Sequence, residues 1–277
     1  MIRGLLILAR PLDSASLGLA VVLGMLIVSG GEVELQTLAA GFGTGFFLLA
    51  GADTINDAVD APIDVLVKPW RPIPSGSVPK RIAVAVGLTE TAIGLALAAA
   101  LGALTFAMAL LGACLAGVYS WRLSRLLVVK NLTVAFTLTL ALAAGGVAIS
   151  TDWPSLMWWL LPVTLVATFS FEAHKDLLDA AADRERGRRT IANSVSPRTA
   201  RSIVAGSYGM AFIGAGLLVL LEPLGAVYGS FLAVALVLLG TGLFLLRLPT
   251  VERYRASFLT INAAFLAAMT GIALDVL

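Results

Sequence analysis

Nine apolar stretches, at about 14–31, 35–60, 82–102, 104–121, 132–150, 154–180, 199–223, 226–248 and 257–277, constrain this 277-residue chain more than any other feature. Each is long enough, or nearly so, to cross a bilayer, which takes about 20 mostly apolar residues. Inside hydrocarbon the backbone polar groups have to be satisfied within their own segment, so all nine are expected as helices. The short alternating segments of a membrane β-barrel are missing from the sequence. Composition agrees: 59% of residues are hydrophobic, 13% are charged and the mean hydropathy is +0.95. A soluble domain has about 25% charged and 45–50% apolar residues. A water-soluble globule, a disordered chain and a coiled coil are therefore excluded. The single cysteine, Cys114, excludes disulfides and cysteine metal sites, and a net charge of +2 gives no reason to expect nucleic acid. The expectation is an all-α, polytopic membrane protein forming one domain over residues 1–277, with its first apolar stretch retained rather than cleaved.

The basic residues set the orientation. All nineteen lie before the first span or in the even-numbered loops: Arg3 and Arg10; Lys68, Arg71, Lys80 and Arg81; Arg122, Arg125 and Lys130; the seven from Lys175 to Arg201; and Arg247, Arg253 and Arg255. The odd-numbered loops carry none. The positive-inside rule then puts the N-terminus and the even loops in the cytoplasm and the C-terminus outside.

Acidic residues crowd two places. Asp53, Asp57, Asp60 and Asp64 crowd the cytoplasmic end of the second span, and Glu172, Asp176, Asp179, Asp183 and Glu185 that of the sixth. The clusters are four spans apart, which predicts two parallel four-helix blocks with a ninth helix appended. On a helix Glu172, Asp176, Asp179 and Asp183 fall within about 60° of one another, and Asp53, Asn56, Asp57, Asp60 and Asp64 within about 100°. Like charges at this spacing destabilise a helix. One cluster would pass as a solvated helix end. Two at matching depth, each followed by a basic loop with Gly or Pro (Lys68 to Gly76, and Arg184 to Thr190), point to a multivalent cation. Hard oxygen ligands without His or Cys favour Mg²⁺, which is commonly shared between carboxylates and substrate phosphates. Guanidinium and ammonium groups from the basic loops suit the same phosphates. Pro62, inside the first cluster, is expected to break or kink its helix near Ala61.

These residues carry a resemblance. Asn56-Asp57-x-x-Asp60-x-x-x-Asp64 followed by Arg71-Pro72-Ile73-Pro74-Ser75-Gly76 resembles the first signature of the UbiA superfamily of intramembrane prenyltransferases. Glu172-x-x-Lys175-Asp176-x-x-Asp179-x-x-x-Asp183 with Gly187-x-Arg189-Thr190 resembles the second. Arg10-Pro11, Tyr119-Ser120 and Lys130-Asn131-Leu132 are weaker matches. The resemblance implies nine helices enclosing a central cavity, with two Mg²⁺ ions joining the acidic motifs to a prenyl diphosphate whose prenyl group passes to a lipophilic acceptor. The Lys-Asp-x-x-Asp form of the second motif resembles that of the archaeal digeranylgeranylglyceryl phosphate synthases, which add a geranylgeranyl chain to geranylgeranylglyceryl phosphate. Phe171 stands where an Arg often precedes the Glu, and Ala182 where a Gly often precedes the last Asp.

By that resemblance Asn56, Asp60 and Asp64 hold one ion, Asp176, Asp179 and Asp183 the other, and Asp57 supports them. Asp60, Asp64, Asp179 and Asp183 are then the catalytic carboxylates. Lys68, Arg71, Lys130, Lys175 and Arg189 are candidates to stabilise the departing diphosphate. Tyr119 and Arg122 are candidates on the acceptor side, and a phosphate on the acceptor would also suit Arg125 or Arg10. His174 is read as a packing residue, Glu90 as paired with a neighbouring helix, and Gly41, Gly43, Gly45, Gly94, Gly145 and Gly146 as close helix contacts. The bilayer is the remaining partner, with no obligatory protein partner implied. Two alternatives remain: an aromatic acceptor such as 4-hydroxybenzoate, and, from another class, a secondary transporter. Transporter sites lie near the bilayer midplane, whereas these ionisable groups lie at one face.

Overall fold

The computed structural model describes residues 1–121, 123, 126–185, 187 and 189–276. The candidate Arg122 lies outside them, as do Arg125, Arg186 and Arg188. Eleven helices are described: α1 (Ile2–Ala9), α2 (Pro11–Ser29), α3 (Leu35–Val67), α4 (Lys80–Leu101), α5 (Ala103–Trp121), α6 (Val129–Ile149), α7 (Ser155–Glu185), α8 (Ile191–Ser194), α9 (Pro197–Leu221), α10 (Ala226–Leu246) and α11 (Val251–Val276). All but α1 and α8 are long and apolar enough to cross a membrane, giving nine spans among the described residues. The chain is a multi-pass membrane protein.

Helices α3 and α7 outrun their apolar stretches, so both acidic clusters sit on continuous helix. Of the break or kink expected at Pro62, a break does not occur: α3 continues to Val67. Proline removes a single backbone donor, and the turns on either side retain enough bonds to carry the helix across. The short α1 is an addition to the sequence reading; it ends at Arg10, whose backbone is left-handed (φ 43°).

Two compact units divide the chain: Met1–Ser124 with Leu140–Asp152, and Arg125–Thr139 with Trp153–Leu277. In the first, helices close on one another through glycine. A Cβ at Gly145 of α6 would strike the Val21 carbonyl of α2, and one at Gly24 would strike the carbonyl of Leu142. Apolar side chains gain little by leaving lipid for another helix, so small residues that let backbones touch supply the packing. Between α3 and α4, Thr54 Oγ1 donates to Glu90 Oε2 at 3.1 Å, the interhelical pairing expected for Glu90.

The second unit packs α7 against α9 and α11, and α10 against α11. Its core holds Val204, Tyr208, Phe212, Ile261 and Phe265. Phe171 packs edge-on against Tyr208, Phe258 and Phe265, with centroids 5.6, 6.0 and 4.8 Å away. The aromatic cluster thus occupies the position where the motif often has an arginine.

Candidate active site

The first acidic motif is held by two arginines from opposite sides in sequence. Arg10 donates from Nη1 to Asp53 Oδ1 and from Nη2 to Asp57 Oδ1, each at 2.8 Å. Arg71 Nη1 lies 2.9 Å from Asp57 Oδ1 and 2.8 Å from Asp64 Oδ2. Asp57 and Asp64 are almost fully buried, at 5% and 1% exposure, and Asp60 is half-buried. Burial alone would lower the Arg10 pKa, but the Asp53, Asp57 and Asp13 carboxylates outweigh it and hold the pKa above the ordinary arginine value.

Local structure aims both arginines. The loop after α3 winds through turns closed by Arg71 N–H to Lys68 O (3.0 Å) and Ser75 N–H to Arg71 O (2.9 Å). Val78 anchors it, fully buried with Leu8, Ala58 and Ala83. Gly4 makes room, since a Cβ there would come 2.6 Å from Val78 Cγ2. Arg10 and Val128 are the two non-glycine residues with positive φ among those described. Such strain of about 1–3 kcal/mol persists only where surrounding contacts over-determine it. Arg10 itself grips the first motif, and Val128 lies two positions before Lys130, which with Asn131 grips the second.

In the second unit, both carboxylate oxygens of Asp176 have partners. Lys130 Nζ is bonded to Oδ1, while Asn131 Nδ2 (3.1 Å) and the Ile191 backbone N–H (3.3 Å) donate to Oδ2. Asp176 thereby ties the start of α6 and α8 to α7. Glu172 accepts from Lys175 at 2.7 Å one turn along the helix. Asp183 is buried, whereas Asp179 and Arg189 are exposed. On the opposite face His174 is wholly buried, with Nδ1 3.2 Å from Tyr208 Oη and Nε2 3.1 Å from the Tyr254 carbonyl. Its place is the packing role read from the sequence.

The structure thus brings together Asp57, Asp64 and Arg71 of the first set, and Asp176 and Lys130 of the second. Asn56, Lys68 and Tyr119 are half-buried in the first unit. Arg10 as a grip on Asp53 and Asp57, Asn131, and the Ile191 N–H were missed as site groups; Arg10-Pro11 and Lys130-Asn131 were the available signals. Among the described residues no three His, Cys, Asp or Glu side chains converge closely enough to hold an ion. The physical reason is visible in the first motif, where a guanidinium nitrogen already lies between the Asp57 and Asp64 oxygens. The oxygens that Asp57 and Asp64 offer are hard carboxylate donors, the type that suits Mg²⁺, although here they carry the Arg10 and Arg71 guanidinium groups.

Nine spans with two acidic helix ends, each gripped by basic residues of its own unit, define an integral membrane protein built to handle concentrated charge at helix ends. The chain belongs to the UbiA prenyltransferase family, whose model matches residues 17–268, and is a UbiA-type prenyltransferase. It is 29% identical over 272 residues to the digeranylgeranylglyceryl phosphate synthase of Pyrococcus furiosus, covering 98% of this chain and 97% of that one. The fold is similar to that of a UbiA homologue from Aeropyrum pernix K1 (TM-score 0.80, 20% identity, covering 96% of this chain and 98% of that one). It is also similar to a UbiA homologue from Archaeoglobus fulgidus bound to GPP and Mg²⁺ (TM-score 0.73, 20% identity, covering 96% and 99%).

Proposed function

We propose that this prenyltransferase moves a geranylgeranyl group from its diphosphate to geranylgeranylglyceryl phosphate, a step in archaeal membrane-lipid synthesis. The observation that carries the acceptor choice is the near full-length similarity to the Pyrococcus furiosus synthase. The Lys175-Asp176-x-x-Asp179 form of the second motif agrees with it.

Asn56, Asp60 and Asp64 on α3 would hold one Mg²⁺, with Asp57 in support; Asp179 and Asp183 on α7, with Asp176, would hold a second. The ion bound by a homologue together with GPP supports this reading. When bound, Mg²⁺ supplies charge neutralisation for the departing diphosphate. Arg71 and Lys68, and in the second unit Lys130, Lys175 and Arg189, carry the cationic groups that receive diphosphate oxygens and stabilise charge as the carbon–oxygen bond breaks. Before any diphosphate binds, Asp57 holds the Arg10 and Arg71 guanidinium groups. Asp176 does the same for the Lys130 ammonium. Apolar helices exclude water from the allylic cation until the acceptor takes it. Tyr119 and Arg122 lie in sequence at the membrane face where the acceptor headgroup would approach. The cytoplasm would be the side of both motifs, with the C-terminus outside, and the chain would act as one domain.

An acceptor panel in detergent with labelled geranylgeranyl diphosphate and Mg²⁺ tests the proposal. Transfer to geranylgeranylglyceryl phosphate is expected. Transfer to 4-hydroxybenzoate, with none to the glycerol phosphate, would overturn the acceptor assignment. Product formed without any ion gradient also separates this reading from a transporter.

A further inference from the structure

We infer that Arg71 is the built-in counter-ion of the first acidic motif, and that a divalent ion gains Asp57 and Asp64 only as a diphosphate draws that guanidinium away. The inference rests on the proposed metal- and diphosphate-dependent transfer and concerns how ligand entry at that site is coupled.

Three observations carry it. A single atom, Arg71 Nη1, bridges both carboxylates at 2.8–2.9 Å. Those carboxylates are buried, so water cannot screen a second cation placed beside the first. The guanidinium and a divalent ion therefore compete for one position. The Arg71 side chain is about a quarter exposed, and its loop is closed by backbone turns and the Val78 anchor rather than by the side chain. The side chain is thus free to exchange partners while the loop keeps its shape. A diphosphate offers the forked guanidinium bidentate acceptors in place of the carboxylates it leaves. Arg10 stays on Asp53 and Asp57 throughout, so the motif retains partial compensation during the exchange. In the second unit Lys130 pairs with the carboxylate of Asp176 and, among the described residues, bridges no second one.

Coupling of this kind is reciprocal: what the diphosphate adds to metal affinity, the metal adds to diphosphate affinity. It also has a counter-intuitive consequence, because deleting a residue that serves the diphosphate raises affinity for the metal alone.

The experiment is Mn²⁺ binding to the full-length chain in detergent, followed by electron paramagnetic resonance, for wild type, Arg71→Gln, Arg71→Lys and the exposed control Arg81→Gln. Each is measured with and without inorganic pyrophosphate at matched free Mn²⁺. In the absence of pyrophosphate Arg71→Gln is expected to bind Mn²⁺ at least about tenfold more tightly than wild type, with Arg71→Lys between them. Arg81→Gln stays within about twofold of wild type, and pyrophosphate tightens wild type more than Arg71→Gln. Equal or weaker Mn²⁺ binding by Arg71→Gln would overturn the inference while leaving the proposed function standing. Should Arg71→Gln fail to fold, Arg71→Lys decides by the same comparison. No Mn²⁺ binding by wild type even with pyrophosphate would remove both the inference and the metal-dependent reading beneath it.

Discussion

Arg10 Nη2 donates to Asp57 Oδ1 at 2.8 Å across 47 positions of sequence, joining the hinge between α1 and α2 to the first acidic motif. The same side chain reaches Asp53, and its left-handed backbone is the strain that places it there. Arg10→Ala leaves two carboxylates short of a counter-charge. The expected cost is roughly 1–3 kcal/mol, below the ~3–5 kcal/mol of a fully buried pair because Arg10 is about a third exposed. Thermal unfolding in detergent measures it, and Arg10→Lys, which cannot span both oxygens in a fork, is expected to recover only part.

Lys130 and Asp176 act as a pair. Each single neutralisation, Lys130→Gln or Asp176→Asn, strands a poorly hydrated charge, while the double variant strands none. A double-mutant cycle on unfolding is expected to give a coupling of at least about 1 kcal/mol. Additive effects would show that the contact contributes nothing to the fold.

Much of this architecture is legible in the sequence, because hydropathy and the sidedness of charge are local properties. The nine spans, both motifs and the bland role of His174 all follow from spacing along one helix. What is not legible is partner choice over distance. Nothing in the spacing tells that Arg10 selects Asp53 and Asp57, or that Lys130 and Asn131 both take Asp176, 46 and 45 positions away. How far α3 runs past Pro62 is not legible for a related reason. The stretch after residue 60 is polar and contains Pro62, yet α3 carries on to Val67 with Asp57 and Asp64 buried by tertiary ion pairs. Those contacts favour helix where composition argues for a stop.

Gly145 faces the Val21 carbonyl with no room for a methyl group. Gly145→Ala is expected to cost about 1–3 kcal/mol through overpacking. Gly240→Ala, in a helix position with open space around it, is expected to leave the melting temperature unchanged or slightly raised. The two curves, taken side by side, check the claim that backbone contact holds α2 and α6 together.

His174 is anchored at both ring nitrogens by Tyr208 and the Tyr254 carbonyl. His174→Gln is expected to lower thermal stability and leave the pH profile of prenyl transfer in the surviving folded protein unshifted. A lost limb in that profile would make the imidazole a proton carrier instead.

The central claim is that carboxylates of both α3 and α7 serve the departure of diphosphate. The direct measurement is single-turnover transfer from labelled geranylgeranyl diphosphate by Asp60→Ala and by Asp179→Ala, with folding checked by size exclusion. Both proteins are expected to remain folded and to lose at least about 100-fold in rate. Near-normal turnover by either folded variant would contradict the account.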